Sequence, residues 1–185
     1  MPRILGISGS LRDGSHNTAL LAAAAGLLPA GVELDVYNGL RGLPPFDADR
    51  DVEPPDPGVA RLREAVAGAD GVLIATPEFN GSIPGVLKNA LDWASRPFPH
   101  NAFRGKPVAV IGASTGLFGA VWAQADARKV LAAIGARVID RELPVGLADD
   151  AFAPDGTLLD DDLSLTLAGI LAELAAETRP IAYAT

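Results

Sequence analysis

Residues 6–17 read Gly6-Ile-Ser-Gly-Ser-Leu-Arg-Asp-Gly-Ser-His-Asn17. The stretch follows a short apolar run and opens a segment whose apolar residues recur at helical spacing. A Gly- and Ser-rich turn between a strand and a helix N-terminus seats anions. Its backbone N–H groups point outward, and the helix dipole favours negative charge there. Gly9 and Gly14 have the Gly-x4-Gly spacing of a P-loop, but Ser15 and His16 stand where a P-loop carries Lys and Ser or Thr. Without that lysine a magnesium–triphosphate would be poorly neutralised. The loop offers the Ser10 and Ser15 hydroxyls, the Asn17 amide and the Arg12 guanidinium instead, an inventory suited to a single phosphomonoester.

Outward from this loop, strand and helix patterns alternate. Arg3 to Ser8 reads as a strand. Asn17 is the expected cap of a helix with Leu20, Leu21, Ala24, Leu27 and Leu28 on its core face. Val32 to Tyr37 is a second strand, followed by a Pro- and Asp-rich loop over 43–57. Asp56-Pro57 starts a helix, with Asp as cap and Pro in the first turn, and Val59, Leu62 and Val66 face inward. Gly71 to Thr76 is almost continuously apolar, as a strand covered on both faces must be. A helix is expected from Ser82-Ile-Pro84, with Ile83, Val86, Leu87, Ala90, Leu91 and Ala94 on one face. Residues 96–105 form a loop, Pro107 to Gly112 a fourth strand, and Gly119 to Ile134 a helix stopped by Gly135. Arg137 to Asp140 is a fifth strand, and a last helix ends near Thr178. The run Asp160 to Asp162 is a solvated helix start, with Leu163, Leu167, Ile170, Leu171 and Leu174 spaced behind it.

Five strands alternating with helices give an α/β fold, a parallel sheet with helices on both faces. In such sheets ligands sit beyond the carboxyl ends of the strands, where the strand order reverses. The loops 9–17, 77–82 and 113–118 all follow strand ends, so that edge is the expected site.

Composition narrows the chemistry. The 185 residues are sized for one domain, residues 1–185. No cysteine is present, so thiolate nucleophiles, disulfide relays and iron–sulfur ligation are excluded, and redox chemistry must come from a bound cofactor. His16 and His100 lie in different segments, which gives no support to a histidine metal site. The net charge of −8 shows no basic stripe for nucleic acid, and no apolar run has the length of a membrane span, so the cytoplasm is the expected location.

Gly112-Ala-Ser-Thr-Gly116 matches the nucleophile elbow of α/β-hydrolases. That mechanism needs a histidine downstream of the serine, and both histidines precede Ser114. Ser114, Thr115 and Gly116 are better placed to bond the polar edge of a heterocycle. In Pro77-Glu-Phe-Asn-Gly-Ser82, Phe79 is a large apolar residue in a polar loop at a strand exit, suited to packing on a flat ring or a subunit contact.

Gly9-Ser-Leu-Arg-x-Gly-Ser-x-Asn17 followed by Pro77-Glu-Phe-Asn-Gly-Ser-Ile-Pro-Gly-Val-Leu-Lys-Asn-Ala-Leu-Asp-Trp93 resembles the NADPH-dependent FMN reductase family. This flavodoxin-like group includes quinone, chromate and azo reductases. The resemblance extends through Gly105-Lys-Pro-Val108 and the Ser114 to Leu131 segment. It implies a three-layer sandwich with strand order 2-1-3-4-5. It also implies FMN, with its phosphate on Ser10, Arg12, Ser15 and Asn17, with His16 in the same loop. Pro77, Glu78, Phe79, Asn80, Gly81 and Ser82 would line the isoalloxazine and ribityl chain, and Ser114, Thr115 and Gly116 the other ring edge. The family often carries Tyr where this chain has Phe79, so a hydroxyl contact there is lost.

The implied reaction is hydride transfer from NADPH or NADH to bound FMN, and then to a quinone, chromate, azo or flavin acceptor by a ping-pong mechanism. No side chain is expected to be catalytic, and no metal is expected. The family also implies a homodimer or homotetramer, with Glu78, Phe79, Trp93, Phe98 and Phe103 as candidate contacts. Two other readings share the fold and cofactor, namely an electron carrier of flavodoxin type and an FMN-binding redox sensor.

Overall fold

A computed structural model describes residues 1–178 of the chain. Strands β1 (Arg3–Ser8), β2 (Glu33–Tyr37), β3 (Gly71–Thr76), β4 (Pro107–Ala113), β5 (Arg137–Val138) and β6 (Pro144–Val145) form one sheet. Helices α1 (His16–Gly26), α2 (Pro57–Gly68), α3 (Gly85–Ala94), α4 (Val121–Ala133) and α5 (Asp161–Glu177) cover it. The strand order is β2-β1-β3-β4-β5, all parallel, as expected for a flavodoxin-like α/β sandwich.

Alternating side chains of the central strands build two cores. Leu5, Ile7, Val72, Ile74, Val108 and Val110 pack with Val59, Leu62, Leu87, Leu91 and Leu131 of α2, α3 and α4. Ile4, Leu73, Ala75, Ala109 and Ile111 pack with Leu20, Leu21, Leu167, Ile170 and Leu174 of α1 and α5. The central strands β3 and β4 are buried along their whole length, which explains their unbroken apolar sequence.

Several boundaries differ from expectation. Ser15, not Asn17, caps α1: its backbone is extended and its hydroxyl accepts from the Thr18 N–H. Asn17 lies inside the first turn. The segment 82–84 is not helical, because Phe79 and Ser82 pair across a tight turn and α3 begins only at Gly85. Gly119 and Ala120 both adopt left-handed backbone, so α4 begins at Val121. The fifth strand is only Arg137–Val138, and the chain then adds β6, a two-residue parallel strand against the far end of β4. The Asp160 carboxylate accepts from the Asp162 and Leu163 N–H groups, so the acidic run is a helix start.

Trp93 and Phe103, expected as candidate subunit contacts, are core residues, each 1% exposed. The Trp93 indole N–H donates to the Pro44 carbonyl at 2.8 Å, which anchors the long 43–57 loop instead. Phe98 remains exposed.

Candidate functional site

The parallel register aligns Ser8 with Ala75 and Thr76 with Gly112, so β1, β3 and β4 release their chains at one edge. A cleft of about 240 Å³ opens there. Ser10, Arg12, Ser15, His16 and Asn17 line it from the first loop, Pro77, Glu78 and Phe79 from the second, and Ser114 and Thr115 from the third. Ala113 and Asp149 complete the wall. Ten of the expected site residues therefore meet in one hollow. Asn80, Gly81, Ser82 and Gly116 do not line it. Asn80 and Gly81, both at positive φ, make the turn that closes the Phe79–Ser82 pair. The Gly116 carbonyl accepts from the Leu147 N–H at 3.0 Å.

The phosphate-type loop is prepared for an anion. Ser15 satisfies only the Thr18 N–H, at 3.4 Å, leaving the first-turn N–H groups of His16 and Asn17 without helical acceptors. Among the described residues the Arg12 guanidinium has no hydrogen-bond or ion-pair partner, while its backbone N–H reaches Ser10 Oγ at 3.4 Å. A free cation beside open donors at a helix N-terminus is the donor set of a phosphomonoester site. The residues present fit the phosphate of a flavin mononucleotide.

The Asn17 side chain acts otherwise than expected. It is buried; its Nδ2 donates to the Ala113 carbonyl at 2.9 Å, and its Oδ1 accepts from the Ala113 N–H at 3.0 Å. This two-sided clasp joins the first loop to the end of β4, and it leaves the backbone N–H of Asn17 to face an anion. Gln124 does the same for the third loop. Fully buried, it donates to the Gly119 and Leu143 carbonyls and accepts from the Leu143 N–H.

Glu78 and Ser82 are also turned away from the expected ring contact. One Glu78 carboxylate oxygen accepts from the Trp122 and Ala123 N–H groups, each at 3.1 Å. The left-handed Ala120 provides no side-chain cap for α4, so Glu78 caps it from across the cleft. The Ser82 hydroxyl donates to Asp126 at 2.7 Å. The second loop is thereby fastened to α4 at both ends, and Phe79 stands out from it, 59% exposed.

Asp149 escaped the sequence reading. Leu147, at positive φ, starts a short 3-10 turn (Ala148–Asp150) that carries Asp149 to the cleft. There its carboxylate meets His16 Nε2 at 3.0 Å, and the His16 ring stacks parallel to Phe152. No local pattern marks this residue, because its partner lies far away in sequence. Ser114 Oγ, by contrast, donates to the nearby Gly116 carbonyl, at 3.4 Å.

Comparison with known proteins agrees with this geometry. The sequence model of the NADPH-dependent FMN reductases matches residues 2–150. An NAD(P)H-dependent FMN reductase of Pseudomonas aeruginosa is 45% identical over 160 residues, 86% of this chain and 85% of that protein. A 2-hydroxy-1,4-benzoquinone reductase of a Burkholderia species is 38% identical over 96% of both chains. Among solved structures, the FerB flavoenzyme NAD(P)H:(acceptor) oxidoreductase of Paracoccus denitrificans superposes with a TM-score of 0.83 at 32% identity, covering 96% of this chain and 97% of that one. With an anion seat, a ring-sized cleft at the sheet switch point and these relatives, the chain belongs to the NADPH-dependent FMN reductase family, enzymes that use FMN with NAD(P)H as reductant.

Proposed function

We propose that the cleft holds FMN and that the protein is an NAD(P)H:quinone oxidoreductase. The observation that carries this reading is the uncommitted Arg12 guanidinium, set beside the open N–H groups of His16 and Asn17 in the same hollow as Phe79 and Ser114. Bound there, FMN would supply hydride chemistry between NAD(P)H and an acceptor, the two visiting the cleft in turn in a ping-pong cycle.

The side chains bind and orient. Ser10, Arg12 and Ser15, with the backbone N–H groups of His16 and Asn17, hold the phosphate. Pro77 and Phe79 support the flat ring, Asn80, Gly81 and Ser82 keep that loop in shape, and Ser114 and Thr115 face the other ring edge, with Gly116 shaping their loop through its bond from Leu147. Glu78 holds the ring loop against α4. The quinone-reducing relatives support a small quinone as acceptor. Among the described residues no helix is long and apolar enough to cross a membrane, which is compatible with action in the cytoplasm.

Leu117, Phe118, Trp122 and Leu147 are exposed, as is Phe79, on the segments that follow β4, β6 and β3 at the carboxyl edge of the sheet. Apolar exposure of this kind at one edge supports a homodimer or homotetramer that covers it.

The test is the visible spectrum of the FMN-loaded protein under anaerobic conditions. NADPH is expected to bleach the flavin bands rapidly, and a quinone to restore them. A bound flavin that NADPH cannot reduce would instead leave an electron carrier or sensor.

A further inference from the structure

The phosphate-type loop has two sides, and the cleft uses only one. On the other side, between residues 8–13 and 36–41, lies a second hollow of about 230 Å³. Ser10 and Arg12 line both hollows, so the loop is a shared wall. The second hollow adds Asp13, Thr18, Asn38 and Arg41. Its guanidiniums are Arg12, shared with the cleft, and Arg41, which belongs to this hollow alone; its one carboxylate is Asp13.

Arg41 is held in place. It sits on a 3-10 turn (Leu40–Gly42) anchored by the buried Leu40, and its guanidinium donates to the Leu11 carbonyl. That bond uses part of the fork and leaves other N–H groups for a ligand. Among the described residues Arg41, like Arg12, Arg50, Arg61, Arg96 and Arg104, has no carboxylate partner; of these, Arg12 and Arg41 line this hollow. With Arg12 given to the FMN phosphate, the Arg41 fork beside the Asn38 amide is what the hollow offers a second phosphate.

We propose that this hollow receives the 2′-phosphate of NADPH, with Arg41 as the residue that favours NADPH over NADH. The inference rests on the proposed FMN site. FMN ties its phosphate to its ring through a ribityl chain. NADPH ties its 2′-phosphate to the nicotinamide through a longer arm of ribose, pyrophosphate and second ribose. With the two rings stacked over the cleft, the shorter tether ends on the near side of the loop. The longer one crosses it, so the two phosphates take opposite sides of one wall.

The experiment titrates 2′,5′-ADP and 5′-AMP into the FMN-loaded protein by calorimetry, and measures kcat/KM with NADPH and NADH alongside. The two nucleotides differ only in the 2′-phosphate. In the unaltered protein 2′,5′-ADP is expected to bind about tenfold or more tightly, the scale of a charged hydrogen bond. Arg41→Ala should erase that difference, lower kcat/KM for NADPH by a similar factor, and leave NADH kinetics and FMN affinity in place. Arg41→Lys, keeping charge without the fork, should restore part of it. Equal binding of the two nucleotides in the unaltered protein overturns the inference. So does an equal loss with NADPH and NADH in Arg41→Ala, or a tenfold loss of FMN affinity there, which would make the hollow part of the flavin seat. If neither nicotinamide reduces the flavin while 2′,5′-ADP still discriminates through Arg41, the reductase reading fails and the hollow stands as a ribose-phosphate site. If both reduce it with equal efficiency and 2′,5′-ADP gains nothing, the reductase reading stands and the hollow does not.

Discussion

The two ends of the sheet both carry hollows, and the larger one is at the end opposite the loops 9–17, 77–82 and 113–118. At the amino ends of β3, β4 and β5, a depression of about 600 Å³ is lined by Asp70, Arg104, Lys106, Arg137 and Glu177. Two of its three cations are committed to backbone and carboxylate acceptors, while among the described residues the third, Arg104, has no side-chain partner. Lys106 donates to the Ala69 and Ala67 carbonyls, and Arg137 to the Gly105 carbonyl and to Glu177. At the carboxyl ends the cleft is less than half that size, yet among the described residues the Arg12 guanidinium and the His16 and Asn17 N–H groups have no acceptor there. Volume alone would choose the amino end. What favours the carboxyl end for the proposed FMN site is the helix start, where open N–H groups stand beside a guanidinium, a combination suited to an anion.

The sharpest way to break this contrast is through the glycines that shape each end. Gly119 and Gly135 both have positive φ, but a Cβ on Gly119 would lie 2.3 Å from the Pro144 backbone, while one on Gly135 finds its nearest neighbour at 3.4 Å. Gly119→Ala combines strain with a backbone clash and is expected to cost about 3 kcal/mol or more, with collapse of FMN binding. Gly135→Ala carries the left-handed strain alone, about 1 kcal/mol, with FMN affinity kept. Chemical denaturation and flavin titration of both variants measure this. Equal losses would mean that the cleft end is no more tightly specified than the other.

Next in size is the Asn17 clasp. Asn17→Leu removes both bonds to Ala113 and leaves its buried N–H and carbonyl unsatisfied, a loss of about 2–4 kcal/mol of stability. Thermal unfolding would show it. A loss below about 0.5 kcal/mol, the range of ordinary surface substitutions, would show that the amide is free to serve the ligand instead.

These residues also show what sequence could and could not reveal. The layers and the loops that meet at the cleft were legible, because apolar runs and 3.6-residue periodicity are local; the strand order was implied only by the resemblance of the motifs to a family. Which of Ser15 and Asn17 caps α1 was not: both types cap helices, and the choice depends on backbone angles. The partner of Asn17 is 96 residues away, that of Glu78 is 44, and that of Trp93 is 49, so no spacing rule foretells how each side chain is engaged. The strand β6 has two residues, too few for any alternation to register.

Arg12→Ala and Arg137→Ala test the contrast at the level of single cations. Arg12→Ala should weaken FMN binding by about 1.5–3 kcal/mol, while fold stability changes by less than about 0.5 kcal/mol. Arg137→Ala should show the opposite pattern, with unchanged FMN affinity and about 1 kcal/mol lost from the fold, because its contacts are internal and partly exposed. Flavin fluorescence titration and urea unfolding separate the two. An Arg12 variant that binds FMN as before removes the phosphate assignment.

The smallest effect, and the one most particular to its origin, belongs to Lys106. Burial pushes its pKa below the ordinary lysine value, and Asp70 only partly opposes this. Below the lowered value both folded and unfolded chains carry the ammonium. Between the lowered and the ordinary value the unfolded chain still holds a proton that the folded chain has released, so stability gains with rising pH across that window. Lys106→Met deletes the bonds to the Ala69 and Ala67 carbonyls, which water can reach at this end, for a loss of about 1 kcal/mol near neutrality. It also deletes the titration. Subtracting the variant's alkaline stability profile from that of the unaltered protein should leave a rise toward high pH, with no change in FMN affinity. A difference that stays flat would mean the ammonium is stabilised by the carbonyls as strongly as burial disfavours it. A shift in FMN affinity would mean that the two ends of the sheet are coupled through β4.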